Sequence, residues 1–224
     1  MKTNDRPLTD LMKAVDSGAA QLPDFQRGWV WDDGRIRALI LSVIHNFPVG
    51  AAMFLEYGNE SIHFKHKPIE GSDANSNTEP DELILDGQQR LTSLYNALYS
   101  KKPVRTKTDK GKEIERFYYL DIEKALDSNA DDEEVVVSIP ATKQVTSDFG
   151  RKIEKDLSTR QDEFRLKMFP LNIILNSSEE QGWQNEYYAY YNYDPAIIRQ
   201  FTDLFSKVIM PTQKYAMPVI LLDK

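Results

Sequence analysis

The sequence has no cysteine, only three histidines and no apolar run long enough to cross a bilayer. The lack of cysteine excludes disulfides and thiolate-ligated zinc. The longest apolar runs, residues 38–44 and 219–222, fall far short of the roughly 20 residues that a membrane helix needs. Residues 1–20 also lack a signal-peptide pattern. We therefore expect a soluble, cytoplasmic protein without a membrane partner.

The chain also has no excess of positive charge, since its 35 Asp and Glu residues outnumber its 28 Lys and Arg residues and give a net charge of −7. A general attraction to nucleic acid is not expected, and any such contact would need a local basic patch. Two basic clusters occur, at residues 101–112 and 151–167. Acidic residues interrupt the second cluster, which favours a solvated helix face. The first cluster fits a charged hairpin edge and a phosphate contact equally well.

The length of 224 residues suits one compact unit, and hydrophobic spacing predicts both helices and strands within it. Apolar residues three and four apart predict helices over residues 8–15, 36–47, 91–98 and 195–208, with a charged helix over 148–168 and an aromatic helix after a capping box at 178–181. Apolar runs predict strands at residues 51–56, 61–67, 83–85, 104–107, 115–122, 135–139 and 215–224.

The most informative feature is the junction between the strand at residues 83–85 and the helix that follows. A helix N-terminus has about four unpaired N–H groups and partial positive charge, so it stabilises a phosphate. Gly87 permits the tight turn, and Arg90 offers a charge-assisted contact. The amides of Gln88 and Gln89 can donate to oxygen or orient a water, and Asp86 suits a divalent cation or a ribose hydroxyl. Spacing alone favours a ligand site and an ordinary turn equally.

A second candidate is the loop at residues 25–31, which carries Arg27 between Gln26 and two tryptophans. Arg27 could bind phosphate while an aromatic ring stacks on a base. Trp29 and Trp31 also suit anchors in the core, which is the commoner role of aromatic residues beside an apolar helix.

The order of these motifs resembles the N-terminal domain of GmrSD-type modification-dependent restriction enzymes. The matching stretches are Leu22-Pro23-Asp24-Phe25-Gln26-Arg27, Trp31, Phe47-Pro48-Val49-Gly50 and the run from Leu83 to Leu94 that contains Asp86-Gly87-Gln88-Gln89-Arg90. These motifs cover roughly the first hundred residues. Residues 218–222 resemble a later strand of the same domain.

The resemblance implies an α+β fold similar to the ParB and sulfiredoxin nucleotide-binding domains, with a mixed sheet and flanking helices. It places the nucleotide-binding core at residues 1–125 and a more helical extension of the same domain at 126–224. By the same resemblance, NTP binding and hydrolysis with Mg²⁺ is expected at the junction. The implied catalytic residues are Asp86, which also holds the metal, Gln88, Gln89 and Arg90. The implied nucleotide-binding residues are Gln26, Arg27, Trp31, Gly50, Gly87 and Thr92.

Members of the family often carry a separate C-terminal HNH nuclease domain, which this sequence lacks, and we expect the chain to be truncated within its own domain. We therefore expect an NTP-binding and NTP-hydrolysing regulatory domain of an antiphage restriction system, with the nuclease domain on a partner subunit or a missing segment. The alternative is a module that senses modified DNA without turnover, in which Trp29 or Trp31 stacks on an extruded base. A third possibility is an interaction domain with a degenerate pocket.

Overall fold

The computed structural model describes residues 2–58, 64–148 and 151–223, which form an α+β fold. The helices are α1 (Leu8–Ser17), α2 (Asp33–Ile44), α3 (Gln88–Leu98), α4 (Ile122–Leu126), α5 (Asp132–Val135), α6 (Arg160–Arg165), α7 (Ser177–Tyr190), α8 (Pro195–Leu204) and α9 (Met210–Gln213), with a 3₁₀ turn at Leu171–Ile173 and a π-helical turn at Phe205–Ile209. The strands are β1 (Lys2–Pro7), β2 (Ala20–Pro23), β3 (Ala52–Glu56), β4 (His66–Lys67), β5 (Glu82–Asp86), β6 (Val104–Lys107), β7 (Glu113–Asp121), β8 (Val136–Pro140), β9 (Gln144–Ser147), β10 (Lys152–Asp156), β11 (Met168–Pro170) and β12 (Ala216–Leu222).

The main sheet is mixed, with the strand order β1-β12-β3-β5-β2-β4. Strand β12 runs parallel to β3, and β2 runs parallel to β5, while the other neighbours are antiparallel. Apolar residues of α1, α2 and α3 pack with this sheet in one large core. Because β12 lies between β1 and β3, residues 1–125 and 126–224 share a single sheet.

A second sheet is built around β7, which has β8 on one edge and both β6 and β11 on the other. Asp33 at the start of α2 fastens this sheet to the main core. Its Oδ1 accepts hydrogen bonds from the hydroxyl of Tyr118 at 2.8 Å and from that of Ser138 at 2.7 Å. The hydroxyl of Thr106 on β6 donates to the carbonyl of Trp31 at 2.7 Å. The β6–β7 hairpin is thereby positioned beside the loop that precedes α2.

Most predicted elements are confirmed, but the helix over residues 148–168 is wrong. Within residues 148–168, strand β10 pairs in an antiparallel manner with the preceding β9, and α6 is the only α-helix among the described residues of this segment. That helix begins late because Thr159 and Asp162 form a capping box at its start. Asn176 caps α7, two residues before the predicted box. Residues 149–150 lie outside the described residues, as do 61–63 of the predicted strand at 61–67.

The aromatic helix α7 packs inward. Trp183 and Tyr187 are fully buried, with ring centroids 4.9 Å apart, and Phe164 lies 5.0 Å from Trp183. Within the described ranges, none of the helices has both the length and the apolar character needed to cross a membrane.

Glu180 on α7 makes stability depend on pH. Its side chain is 1% exposed, and within the described residues its Oε1 has no hydrogen-bond partner. Burial raises the pKa of this carboxyl. Below the unfolded-state pKa both states are protonated and there is no penalty. As the pH rises from there through the raised pKa, the folded state is increasingly destabilised.

We therefore expect Glu180→Gln to increase the free energy of unfolding at pH 7 and to have a smaller effect at pH 4. Urea unfolding at both pH values measures the difference. Glu186→Gln is the control, because it removes an exposed carboxylate from the same helix. Equal effects of the two substitutions at pH 7 would contradict the prediction.

Candidate nucleotide-binding site

Strand β5 and helix α3 meet at a single glycine. Gly87 has φ +90° and ψ 3°, a left-handed conformation that favours glycine, and an added Cβ would lie 3.1 Å from Cβ of Ala52. The first helical hydrogen bond runs from the N–H of Leu91 to the carbonyl of Gly87 at 2.9 Å, and no side chain caps the helix. The N–H groups of the first turn therefore keep their potential as donors to an anion.

The two glutamines of the first turn bind the backbone of a neighbouring loop. Nε2 of Gln88 donates to the carbonyl of Arg27 at 2.6 Å, and Nε2 of Gln89 donates to that of Gly28 at 3.2 Å. Oε1 of Gln89 accepts the N–H of Val30 at 3.0 Å. Both side chains are largely buried, with exposures of 5% and 9%. They fix the path of the loop relative to the helix.

This loop, residues 24–32, is called the arginine loop below. Nε2 of Gln26 donates to the carbonyl of Leu85 at 2.8 Å, which ties the loop to β5. The indole N–H of Trp29 donates to the hydroxyl of Ser93 on α3 at 3.0 Å. The loop is therefore attached to the strand, to the start of the helix and to its second turn.

Arg90 fastens a second loop, residues 45–51, which is called the glycine loop below. Its Nη1 donates to the carbonyl of Val49 and its Nη2 to that of Ala51, each at 2.8 Å. The same Nη2 lies 3.5 Å from Oδ2 of Asp86. Gly50 lies between the two carbonyls at φ +88°, and a Cβ there would be 2.9 Å from Nη1 of Arg90. The guanidinium thus occupies space that only glycine leaves open.

Tyr215 also holds the glycine loop in position, a role that was not predicted from the sequence. Its hydroxyl donates to the carbonyl of Phe47 at 2.9 Å and accepts the N–H of Val49 at 3.3 Å. Burial raises the pKa of Tyr215, against the opposing effects of the Val49 N–H and the Arg90 charge, so the hydroxyl stays neutral at physiological pH. The spacing of residues carried no signal for this contact, because 166 positions separate Tyr215 from Val49.

Two charged side chains at the junction remain available to a ligand. The Asp86 side chain is 73% exposed, and its only ion-pair partner in the described residues is Arg90. Arg27 is exposed, and no polar partner of its guanidinium is found in the described part of the chain. The carbonyl of Arg27 lies against Gln88, so Arg27 is positioned beside the first residue of α3.

The structure does not bring every expected nucleotide-binding residue to this place. Thr92 is completely buried, because α3 is covered on nearly all of its faces. A nucleotide could not reach its hydroxyl. Trp31 is half-buried against the core, and its carbonyl is bonded to Thr106 on β6. In the described ranges, no group of three or more His, Cys, Asp or Glu residues is arranged to hold a metal ion.

The fold and the junction together define an α+β domain in which a mixed sheet presents one helix N-terminus between two fastened loops. A family model described as the GmrSD restriction endonuclease N-terminal domain matches residues 8–224, and the chain belongs to this family. The match extends well beyond the first hundred residues.

The chain is also similar to an uncharacterized protein of Methanocaldococcus jannaschii, MJ0686. The two are 31% identical over 178 residues. The alignment covers 77% of this chain and 29% of the archaeal protein, so the chain spans less than a third of that relative's length.

Proposed function

We propose that the chain binds a nucleoside triphosphate at the N-terminus of α3 and is the nucleotide-responsive domain of a modification-dependent restriction system. The proposal rests on the different contacts of the charged and polar groups around the first turn of α3. Gln88, Gln89 and Arg90 fasten two loops through backbone carbonyls. The helix N–H groups, Arg27 and Asp86 are left to face a ligand.

Phosphate binding follows from charge and geometry at this point. The uncapped N-terminus of α3 supplies N–H donors and partial positive charge. Arg27 supplies an exposed guanidinium from the neighbouring loop, and such a group pairs with phosphate in a bidentate manner. Arg90 adds a second positive charge whose position is fixed by the carbonyls of Val49 and Ala51. In the proposal, Arg27 binds the phosphates, and Arg90 holds the glycine loop in position beside them.

Hydrolysis is assigned to Asp86 and Gln88. Mg²⁺ is commonly held by one or two carboxylates together with substrate phosphates, and the exposed Asp86 suits that role. Both polar ends of Gln89 are bonded to the arginine loop. Gln88 uses its Nε2 in the same way, but its Oε1 has no partner in the residues that the structure describes. We assign this oxygen to orient the attacking water.

The two loops give the bound nucleotide a route to the rest of a restriction system. Both loops are hydrogen-bonded to the first turn of α3. In the proposal, a ligand that shifts this turn on binding therefore also shifts the exposed residues of both loops. Phe25 and Phe47 lie on these loops and are 65% and 59% exposed. In the proposal, the partner nuclease domain or subunit reads the nucleotide state through this surface.

Isothermal titration with ATP, GTP and CTP tests the proposal directly. Arg27→Ala is expected to weaken binding of the preferred nucleotide by about ten- to a hundredfold, the cost of one lost charge-assisted contact. Arg199→Ala is the control, because it removes the same charge from an exposed position on α8. Failure of the wild-type chain to bind any of the three nucleotides would refute the proposal, and so would wild-type affinity in a folded Arg27→Ala protein.

A further inference from the structure

A second concave surface is lined by the C-terminal part of the arginine loop. It is a groove of about 1390 Å³ between residues 29–31 and the β6–β7 hairpin. Neither Asp86 nor Arg27 lines it, so it is separate from the nucleotide site. Its volume exceeds the range of about 300–1,000 Å³ that is usual for small-molecule pockets. A groove of this size suits a segment of a polymer.

The register of β6 and β7 gives the groove a basic wall. Arg116 lies opposite Val104, and Ile114 lies opposite Thr106, whose hydroxyl points to the carbonyl of Trp31. Because side chains alternate along a strand, Arg116 and Ile114 share the face that turns toward the arginine loop. Lys112 has the same parity, immediately before β7.

Two acidic residues of the hairpin also line the groove, each opposite a cation of β6. Glu115 lies opposite Arg105, with 3.2 Å between Oε1 and Nε, and Glu113 lies opposite Lys107. No ion-pair partner of Lys112 is found in the described part of the chain. The lining has more cations than anions, Lys102, Arg105, Lys107, Lys112 and Arg116 against Glu70, Glu113 and Glu115. The groove is therefore net positive on a chain whose overall charge is −7.

The guanidinium of Arg116 is not neutralised within the described residues, because no carboxylate there forms an ion pair with it. Its Nε is buried and has no hydrogen-bond partner within the described residues. A buried donor without a partner is costly, and the cost is larger for a charged group. Arg116 also lines the groove, so its positive charge is available to a phosphate there.

The facing wall is aromatic. Trp29 and Trp31 both line the groove, and the indole of Trp29 is fixed by its bond to Ser93. Glu70 also lines it, with its carboxylate bonded to the N–H of Trp29 at 3.1 Å. Basic side chains that follow a backbone, opposite aromatic rings that stack on bases, are the usual means of binding a single nucleic-acid strand.

We infer that this groove binds a single strand of nucleic acid, with its phosphates on Arg116 and Lys112 and its bases against Trp29 and Trp31. An acidic peptide would match the charge but not the aromatic wall. The inference goes beyond the proposed function and does not depend on it, because Arg27 and Asp86 do not line the groove. That shared loop would let a strand in the groove affect the nucleotide site.

Fluorescence anisotropy with a labelled oligothymidylate tests the inference on the full chain. Lys112→Glu is expected to weaken binding by about tenfold or more, since it removes and reverses a phosphate contact. Lys110→Glu is the matched control. It makes the same charge change two residues away on the same exposed turn, outside the groove, and is expected to alter affinity by less than about twofold.

Equal losses in the two variants would overturn the inference, because general electrostatics would then explain the binding. Equally tight binding of polyglutamate would also overturn it in favour of an acidic peptide. Arg27→Ala is expected to keep oligonucleotide affinity, and Lys112→Glu is expected to keep ATP affinity. If Arg27→Ala abolished oligonucleotide binding while Lys112→Glu did not, the strand would lie at α3 and not in the groove. If the chain bound the oligonucleotide but none of ATP, GTP and CTP, only the proposed function would be refuted.

Discussion

Arg90→Ala is expected to lower the free energy of unfolding by about 3 kcal/mol, the sum of two charge-assisted hydrogen bonds at about 1.5 kcal/mol each. The bonds in question are those to the carbonyls of Val49 and Ala51, and the side chain that makes them is only 19% exposed. Without them the glycine loop loses its attachment to α3. We expect nucleotide binding to be lost as well, because the site is bounded by this loop.

Arg90→Lys tests whether Arg90 acts through its positive charge or through its two hydrogen bonds to the glycine loop. Lysine keeps the positive charge but replaces a planar fork with a single ammonium, which does not span two carbonyls in the same way. We therefore expect Arg90→Lys to be almost as unstable as Arg90→Ala in urea unfolding, and to bind ATP poorly in titration calorimetry. Arg35→Ala, which removes an arginine that is 65% exposed, should change stability by less than about 0.5 kcal/mol. Wild-type stability in Arg90→Lys would show that charge alone matters.

The junction itself could be predicted because it depends on local sequence. An apolar run followed by helical spacing locates β5 and α3, and a glycine between them indicates a left-handed turn. The hydrogen-bond partners of the Gln88, Gln89 and Arg90 side chains could not be predicted in the same way. Their partners are backbone groups, which every residue possesses, so no residue type identifies them. The sequence therefore indicated that these side chains mattered but not that they fasten loops.

The burial of Thr92 could not be predicted from the apolar stripe of α3. Leu91, Leu94, Tyr95 and Leu98 define that stripe, and position 92 lies about 100° around the helix from Leu91, outside the stripe. The structure buries α3 on nearly all of its faces, including its polar residues. The resemblance placed Thr92 at the nucleotide, but its side chain has no exposed surface because this helix is covered on nearly all sides.

The contacts made by the C-terminal part of the chain were the hardest to foresee. Strand β12 was predicted as a strand, but its neighbours are β1, which is polar and was missed, and β3. Tyr215, immediately before β12, then reaches the glycine loop. Such pairings join residues far apart in sequence, and hydrophobic spacing carries no information about them.

Gly50→Ala is expected to cost more stability than the same change at Gly111, although the two glycines have similar backbone conformations. Gly50 has φ +88° and Gly111 has φ +82°, so both substitutions incur backbone strain of about 1–2 kcal/mol. At Gly111 an added Cβ meets nothing within 4 Å in the described structure. At Gly50 it would lie 2.9 Å from Nη1 of Arg90. The end of an arginine normally yields at little cost, but this one is bonded to two carbonyls.

The excess cost of Gly50→Ala over Gly111→Ala should therefore be about 1.5–3 kcal/mol, the loss of one or both bonds of Arg90. A double-mutant cycle in urea unfolding tests this origin. In an Arg90→Ala background the obstructed guanidinium is gone, so Gly50→Ala should cost no more than Gly111→Ala does in the wild-type protein. An unchanged excess in that background would mean that Gly50 is required by its own turn and not by Arg90. The expected coupling would instead identify Gly50 and Arg90 as one unit, in which a missing side chain makes room for the guanidinium that fixes the loop.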